Sequence, residues 1–261
     1  MKDNSLVKIP LIILGVAVVF SILWSVFRSN PTDQAPVTQV PADTSAQKNQ
    51  GPSVCYYRSD KGATKGTFDR AWLVIIPEDD NVISGEFHDI PAEKDMKAGT
   101  FEGTVGTPDG GKTAVSNLAT VWWNTQAEGT TNKEELVLAY TKDAAQIAYG
   151  EMVQAGSDTN TYVYKDKTKL SYGPSMSMVD CTSLNEMLVV EKYIKDNAGT
   201  VITDKPVAGG TWTATTVTVN TTAHTAEIAF EDGHIKGHGL VTYTFDRDSG
   251  EVKVSSFESG K

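Results

Sequence analysis

Trp72-Leu73-Val74-Ile75-Ile76 is a short apolar run stopped by Pro77, and the turn-forming Glu78-Asp79-Asp80-Asn81 follows at once. The run is too short for a buried helix and rich in β-branched residues, so it reads as a strand. The same grammar repeats downstream. Thr100 to Val105, Val121 to Trp123 and Tyr162 to Tyr164 are further strand segments. Leu136, Leu138 and Tyr140 alternate, as do Ile147, Tyr149 and Val153. Pro108-Asp109-Gly110-Gly111 and Ala155-Gly156-Ser157-Asp158 supply turns between them. About eight strands with short connections predict an antiparallel meander closed into a small barrel over residues 53–182, with an open two-sheet sandwich as the alternative.

The chain holds only two cysteines, Cys55 and Cys181. One lies on the first strand and the other just past the last. Closing a barrel brings those strands together, so a disulfide between them is the simplest reading. Two redox-active thiols are the alternative, but there is no CxxC spacing and no activating group nearby in sequence.

Residues 183–261 predict a smaller α+β unit. Ser183-Leu184-Asn185-Glu186 has the form of a capping box. Leu184, Met187, Val190 and Ile194 then recur at helical spacing, and the helix is expected to stop at Asn197 to Gly199. Val217/Val219, Ala226/Ile228/Phe230, Val241/Tyr243/Phe245 and Val252/Val254 alternate as strands. One helix on a three- or four-stranded antiparallel sheet is expected.

Upstream, the run Ile9 to Phe27 is uncharged and spans about 30 Å at about 1.5 Å per residue. It ends in Trp24-Ser25-Val26-Phe27-Arg28, without a small-x-small cleavage site, so residues 1–28 read as a cytoplasmic stub and an uncleaved membrane anchor. Lys2 and Lys8 precede the run, which predicts the N-terminus inside and the bulk of the chain outside. Residues 29–52, with Pro31, Pro36 and Pro41, lack large apolar side chains and read as an extended linker. The expected localisation is therefore the cell membrane, single-pass, with the lipid bilayer as a partner of the N-terminal helix.

Residues 1–52 hold Lys2, Lys8, Arg28 and Lys48 against Asp3, Asp33 and Asp43, a net +1, so the portion beyond the linker carries −11 against the chain's net −10. So acidic a portion is a poor match for phosphate backbones, which excludes nucleic acid as an expected partner.

Several motifs carry chemistry on paper. Gly106 to Thr113 fits GxxxxGK[ST], but a phosphate cradle needs a parallel strand before it and a helix after it, and neither is expected here. His234 and His238 stand four apart beside Glu231 and Asp232, yet Asp232-Gly233 is a favoured hairpin dipeptide, so no metal is expected. Glu93, Asp95, Glu128 and Glu151 are candidate acid–base carboxylates without a defined separation. No serine sits in a nucleophile elbow, and His88, between Phe87 and Asp89, reads as a packed or surface histidine. Asn220-Thr221-Thr222 matches a glycosylation sequon at a turn. No cofactor is expected. The remaining candidates are aromatic: Trp72, Trp122, Trp123 and Tyr149, with Tyr162 beside them, as a ligand- or partner-binding set. Of the adjacent Trp122 and Trp123, one should point into the barrel and one out.

Gly85-Glu86-Phe87, Pro91-Ala92-Glu93-Lys94-Asp95, Gly99-Thr100-Phe101 with Gly103, Glu128-Gly129 and Tyr149-Gly150-Glu151-Met152 together resemble a pattern in uncharacterised membrane-anchored bacterial envelope proteins. The resemblance covers the first outer domain. It implies a bacterial envelope setting and no activity. A small disulfide-closed barrel is also loosely similar to membrane-bound lysozyme inhibitors, whose loop motif has no counterpart in this chain. The expected function is non-enzymatic binding of a small ligand, a glycan or an envelope protein. The alternatives are a hydrolase of cell-wall or glycan substrates using the Glu93/Asp95 region, and a structural subunit of an envelope complex.

Overall fold

The structure, a computed structural model, describes residues 50–62, 68–92, 94–106, 117–127 and 129–260, all within one compact unit, Lys48–Lys261. The anchor segment 1–28 and most of the linker lie outside the described residues. Among the described residues no helix is long and apolar enough to cross a membrane.

Strands β1 (Val54–Lys61), β2 (Phe68–Pro77), β3 (Val82–Ile90), β4 (Lys97–Gly106), β5 (Asn117–Ala127), β6 (Thr130–Tyr140) and β7 (Ala144–Tyr149) run up and down in chain order. The chain then leaves the ring as β8 (Met152–Gln154), β9 (Thr161–Tyr164) and β10 (Ser171–Tyr172), and returns as β11 (Met176–Val179). β11 pairs antiparallel with β7 through Met176 opposite Ala145, and with β1 through Cys55 opposite Val179. Eight antiparallel strands thus close a barrel, and the open sandwich is excluded. The Tyr162–Tyr164 segment is not one of the eight. It is β9, paired parallel to β6, where Tyr164 packs on the outward side chains Val137 and Ala148.

Strand alternation explains the core. Ala71, Leu73 and Ile75 face inward, as do Leu136 and Leu138, while Phe87, Phe101 and Trp123 fill the middle. Each large apolar side chain buried this way contributes roughly 1.5–3 kcal/mol. Glycine is required where strands turn to close the ring. A Cβ on Gly85 would lie 1.9 Å from the Val74 carbonyl oxygen, and one on Gly99 would lie 1.9 Å from that of Asn124. At both positions a neighbouring strand's backbone comes too close for any side chain.

Helix α1 (Cys181–Asp196) starts one residue beyond Asp180, whose side chain accepts a hydrogen bond from the Ser183 backbone N–H at 2.9 Å. The expected Ser183/Glu186 capping box is not formed, because Asp180 is the N-cap. A short helix α2 (Ala198–Val201) follows. Then β12 (Thr213–Asn220), β13 (Thr225–Glu231), β14 (Lys236–Phe245) and β15 (Val252–Gly260) form a four-stranded antiparallel sheet in sequential order. Val190 and Ile194 of α1 pack on its apolar face with Val217, Ile228 and Val241.

The helical periodicity conceals a second face. Leu184 and Met187 pack instead against Cys55 and Trp72, on the outer wall of the barrel. The helix is thus a middle layer between barrel and sheet. The Cys55–Cys181 disulfide pins its first turn to β1, with a Cα separation of 5.2 Å. Arg70 on β2 donates to Glu191 on α1 at 2.6 Å, and Lys195 reaches the other oxygen at 2.7 Å. Burial raises the Glu191 carboxyl, but hydrogen bonds and charge from Arg70 and Lys195 outweigh it and hold the group below its ordinary range.

Candidate binding site at the barrel mouth

The inward alternation does not end where the apolar residues end. One step beyond Tyr56 on β1 is Arg58, beyond Ala71 on β2 is Asp69, beyond Phe87 on β3 is Asp89, and beyond Ile147 on β7 is Tyr149. All four come to one end of the barrel. They line a basin of about 350 Å³ together with Pro91, Ala92 and Lys94 from the loop after β3.

Each group has a distinct electrostatic position. The Arg58 side chain is 13% exposed and donates from Nη1 to Asp60 at 3.2 Å, while its Nε is buried without a partner. Asp69 accepts from the Ala92 backbone N–H at 2.8 Å, which ties the loop to the mouth. Burial pushes the Asp89 carboxyl above its ordinary range; Arg58, Lys97 and Lys94 offset part of this, and Asp69 adds to it. Burial likewise pushes the Tyr149 hydroxyl up to about 12, helped by the charge of Asp89 and opposed by Arg58. The tyrosine therefore stays a hydrogen-bond donor across physiological pH. Lys97, opposite Asp89 in the β3–β4 register, is committed elsewhere: its Nζ holds both oxygens of Glu134 at 2.8 and 3.1 Å.

The basin thus offers donors on Arg58, Lys94 and Tyr149 and acceptors on Asp69 and Asp89. Its lining residues include no serine, cysteine or histidine. Below it the barrel is filled by side chains, with Leu73 and Leu138 fully buried and Trp123 at 3% exposure.

The aromatic candidates do not converge. Trp72 lies on the outer wall, stacked on His88 with ring centroids 3.7 Å apart and packed with Leu184 of α1, so it serves the barrel–helix junction. Trp123 points inward and donates from Nε1 to the Gly99 carbonyl at 3.1 Å. Trp122 points outward, 37% exposed, with the Lys133 ammonium 4.9 Å from its ring centre. Tyr162 lies on β9, outside the ring. Only Tyr149 reaches the basin.

The other motifs resolve locally. Residues 107–113 of the phosphate-loop pattern, with Glu93 and Glu128, lie outside the described residues. Gly106, its first residue, pairs with Leu118 across antiparallel strands, not the parallel arrangement a phosphate cradle needs. Asp95 is exposed, and Glu151 is paired with Lys165 at 2.7 Å on the surface. Asp232 and Gly233 make the β13–β14 turn, and the Asp232 carboxylate accepts from the backbone N–H of Val207, His234 and Ile235. Asn220 caps its own turn by accepting from the backbone of Thr222 and Ala223.

A second polar cluster lies in the sheet layer. Glu186 of α1 is fully buried; its Oε1 accepts from the Tyr243 hydroxyl at 2.9 Å and lies 3.0 Å from His224 Nδ1. Its Oε2 has no hydrogen-bond partner, and Arg247 stands 4.0 Å away.

Comparison with family models, with curated proteins and with solved structures finds no match to this chain.

Proposed function

We propose that this is a membrane-anchored, extracytoplasmic binding protein that holds a small polar ligand at one mouth of its barrel. One observation carries the reading: charged side chains of both signs, on strands otherwise apolar inside, face a shared basin. Arg58 and Asp89 are partly buried and the Arg58 Nε lacks a partner, so a ligand of complementary charge would add interactions the protein does not make by itself. The Cys55–Cys181 disulfide supports placement in an oxidising compartment, and the Ile9–Phe27 run supplies the anchor.

Native mass spectrometry of the full chain, purified in mild detergent, tests the reading. The expected result is a small polar molecule retained by the wild type and lost in the Arg58→Gln/Asp89→Asn double variant. A molecule retained equally by both would place binding elsewhere.

A further inference from the structure

We infer that the ligand of this mouth is a small zwitterion, with a carboxylate and an ammonium group in one molecule, as in a free amino acid or a short peptide. The inference rests on the reading of the mouth as a ligand site and names what that site would take.

Arg58 is the anion anchor. Its guanidinium lines the basin, donates from Nη1 to Asp60, and carries an Nε that is buried and without a partner. The fork geometry of a guanidinium matches a carboxylate in a bidentate contact. Asp89 is the cation anchor. It is desolvated, Lys97 across the strand pair is held by Glu134, Asp69 faces the same basin, and Arg58 and Lys94 supply part of the opposing charge. An ammonium group placed there would relieve the repulsion between the two carboxylates.

The alternatives fit less well. A phosphate or a dicarboxylate would gain from Arg58 and Lys94 but meet Asp69 and Asp89. A diamine would gain from the aspartates but meet Arg58 and Lys94. A neutral sugar would displace water from both charges and return only weaker hydrogen bonds. The basin, at about 350 Å³, is at the small end for a ligand site, which suits a molecule of amino-acid to dipeptide size. Tyr149, 44% exposed, would wall one side and donate from a hydroxyl that stays protonated.

The test is calorimetric titration of the full chain in mild detergent with four probes: free alanine, dialanine, N-acetyl-dialanine and dialanine amide. Alanine or dialanine should bind, and blocking either end should weaken binding at least tenfold. Arg58→Gln should weaken dialanine at least tenfold while leaving the amide unchanged. Asp89→Asn should weaken dialanine similarly while leaving the acetylated form unchanged. The comparison of blocked and unblocked ligands uses the wild type alone, so a misfolded variant cannot imitate it. Equal binding of all four probes would overturn the inference. So would no binding of any probe by a protein that retains another molecule in native mass spectrometry; that result would leave the mouth reading standing. A retained molecule unaffected by the double variant would overturn both.

Discussion

The barrel and the helix-backed sheet both bury ionisable groups, and they treat them differently. In the sheet layer, Glu186 is fully buried: one oxygen is held by Tyr243 and His224, and the other, without a hydrogen-bond partner, lies 4.0 Å from Arg247. At the barrel mouth, Arg58, Asp69 and Asp89 line an open volume, and the Arg58 Nε has no hydrogen-bond partner. Under the proposed reading, the difference is that the groups at the mouth line an open basin and Glu186 is enclosed within the layer. Residue type alone does not make that distinction; what the free valences face does.

The comparison sharpens under perturbation. The largest effect belongs to the covalent tie between the two regions. Replacing Cys55 and Cys181 together with alanine opens a loop closed across 126 residues and should cost about 4–5 kcal/mol in chemical denaturation. Next comes the sealed cluster. Glu186→Ala strands the buried Tyr243 hydroxyl and leaves a void, a loss of about 3 kcal/mol by thermal unfolding, with no change in ligand retention at the mouth. A loss of ligand in that variant would break the separation drawn here. Arg70→Met removes the charge that holds Glu191, at about 2 kcal/mol, and hydrogen exchange should show α1 loosening while the barrel core stays protected. The smallest effect is Trp122→Ala, under about 1 kcal/mol, since it removes only an exposed ring and its contact with Lys133.

Much of the architecture was legible in the sequence. The Trp72–Ile76 run and the Leu136/Leu138/Tyr140 alternation give strands, and the positions of Cys55 and Cys181 imply closure. The four alternating segments after Gly210 form the sheet as expected. The expected Ile147/Tyr149/Val153 strand breaks after Tyr149, where β7 ends, and Val153 lies on β8, which pairs with β9. Two further local readings failed for physical reasons. Ser183 and Glu186 have capping-box spacing, but Asp180 is a better-placed cap, and Glu186 finds partners across the sheet. Tyr162 to Tyr164 has strand character, yet that segment covers the outside of the barrel.

The site was much harder to read. Aromatic residues stand out in a sequence, but Trp72 and Trp123 are packing residues. Arg58, Asp69 and Asp89 look like ordinary solvated charges. Their signal is that each sits in the inward register one step past the last apolar residue of its strand. That signal appears only once closure shows which strand ends share a mouth.

The most direct test of the central claim is the stability of Asp89→Asn as a function of pH. Burial holds the native Asp89 carboxyl above its ordinary value of 3.8, so the native state binds this proton more tightly than the unfolded chain does. The stability it contributes is present in acid and is lost as pH rises from about 3.8 through the native value. Asparagine stays neutral and escapes that loss. The account predicts a variant at least as stable as wild type at neutral pH, with its relative stability rising through that window, and with dialanine binding weakened at least tenfold. A variant that is less stable at neutral pH, with a deficit that grows as pH rises, would make Asp89 a structural partner of Arg58 and contradict the account.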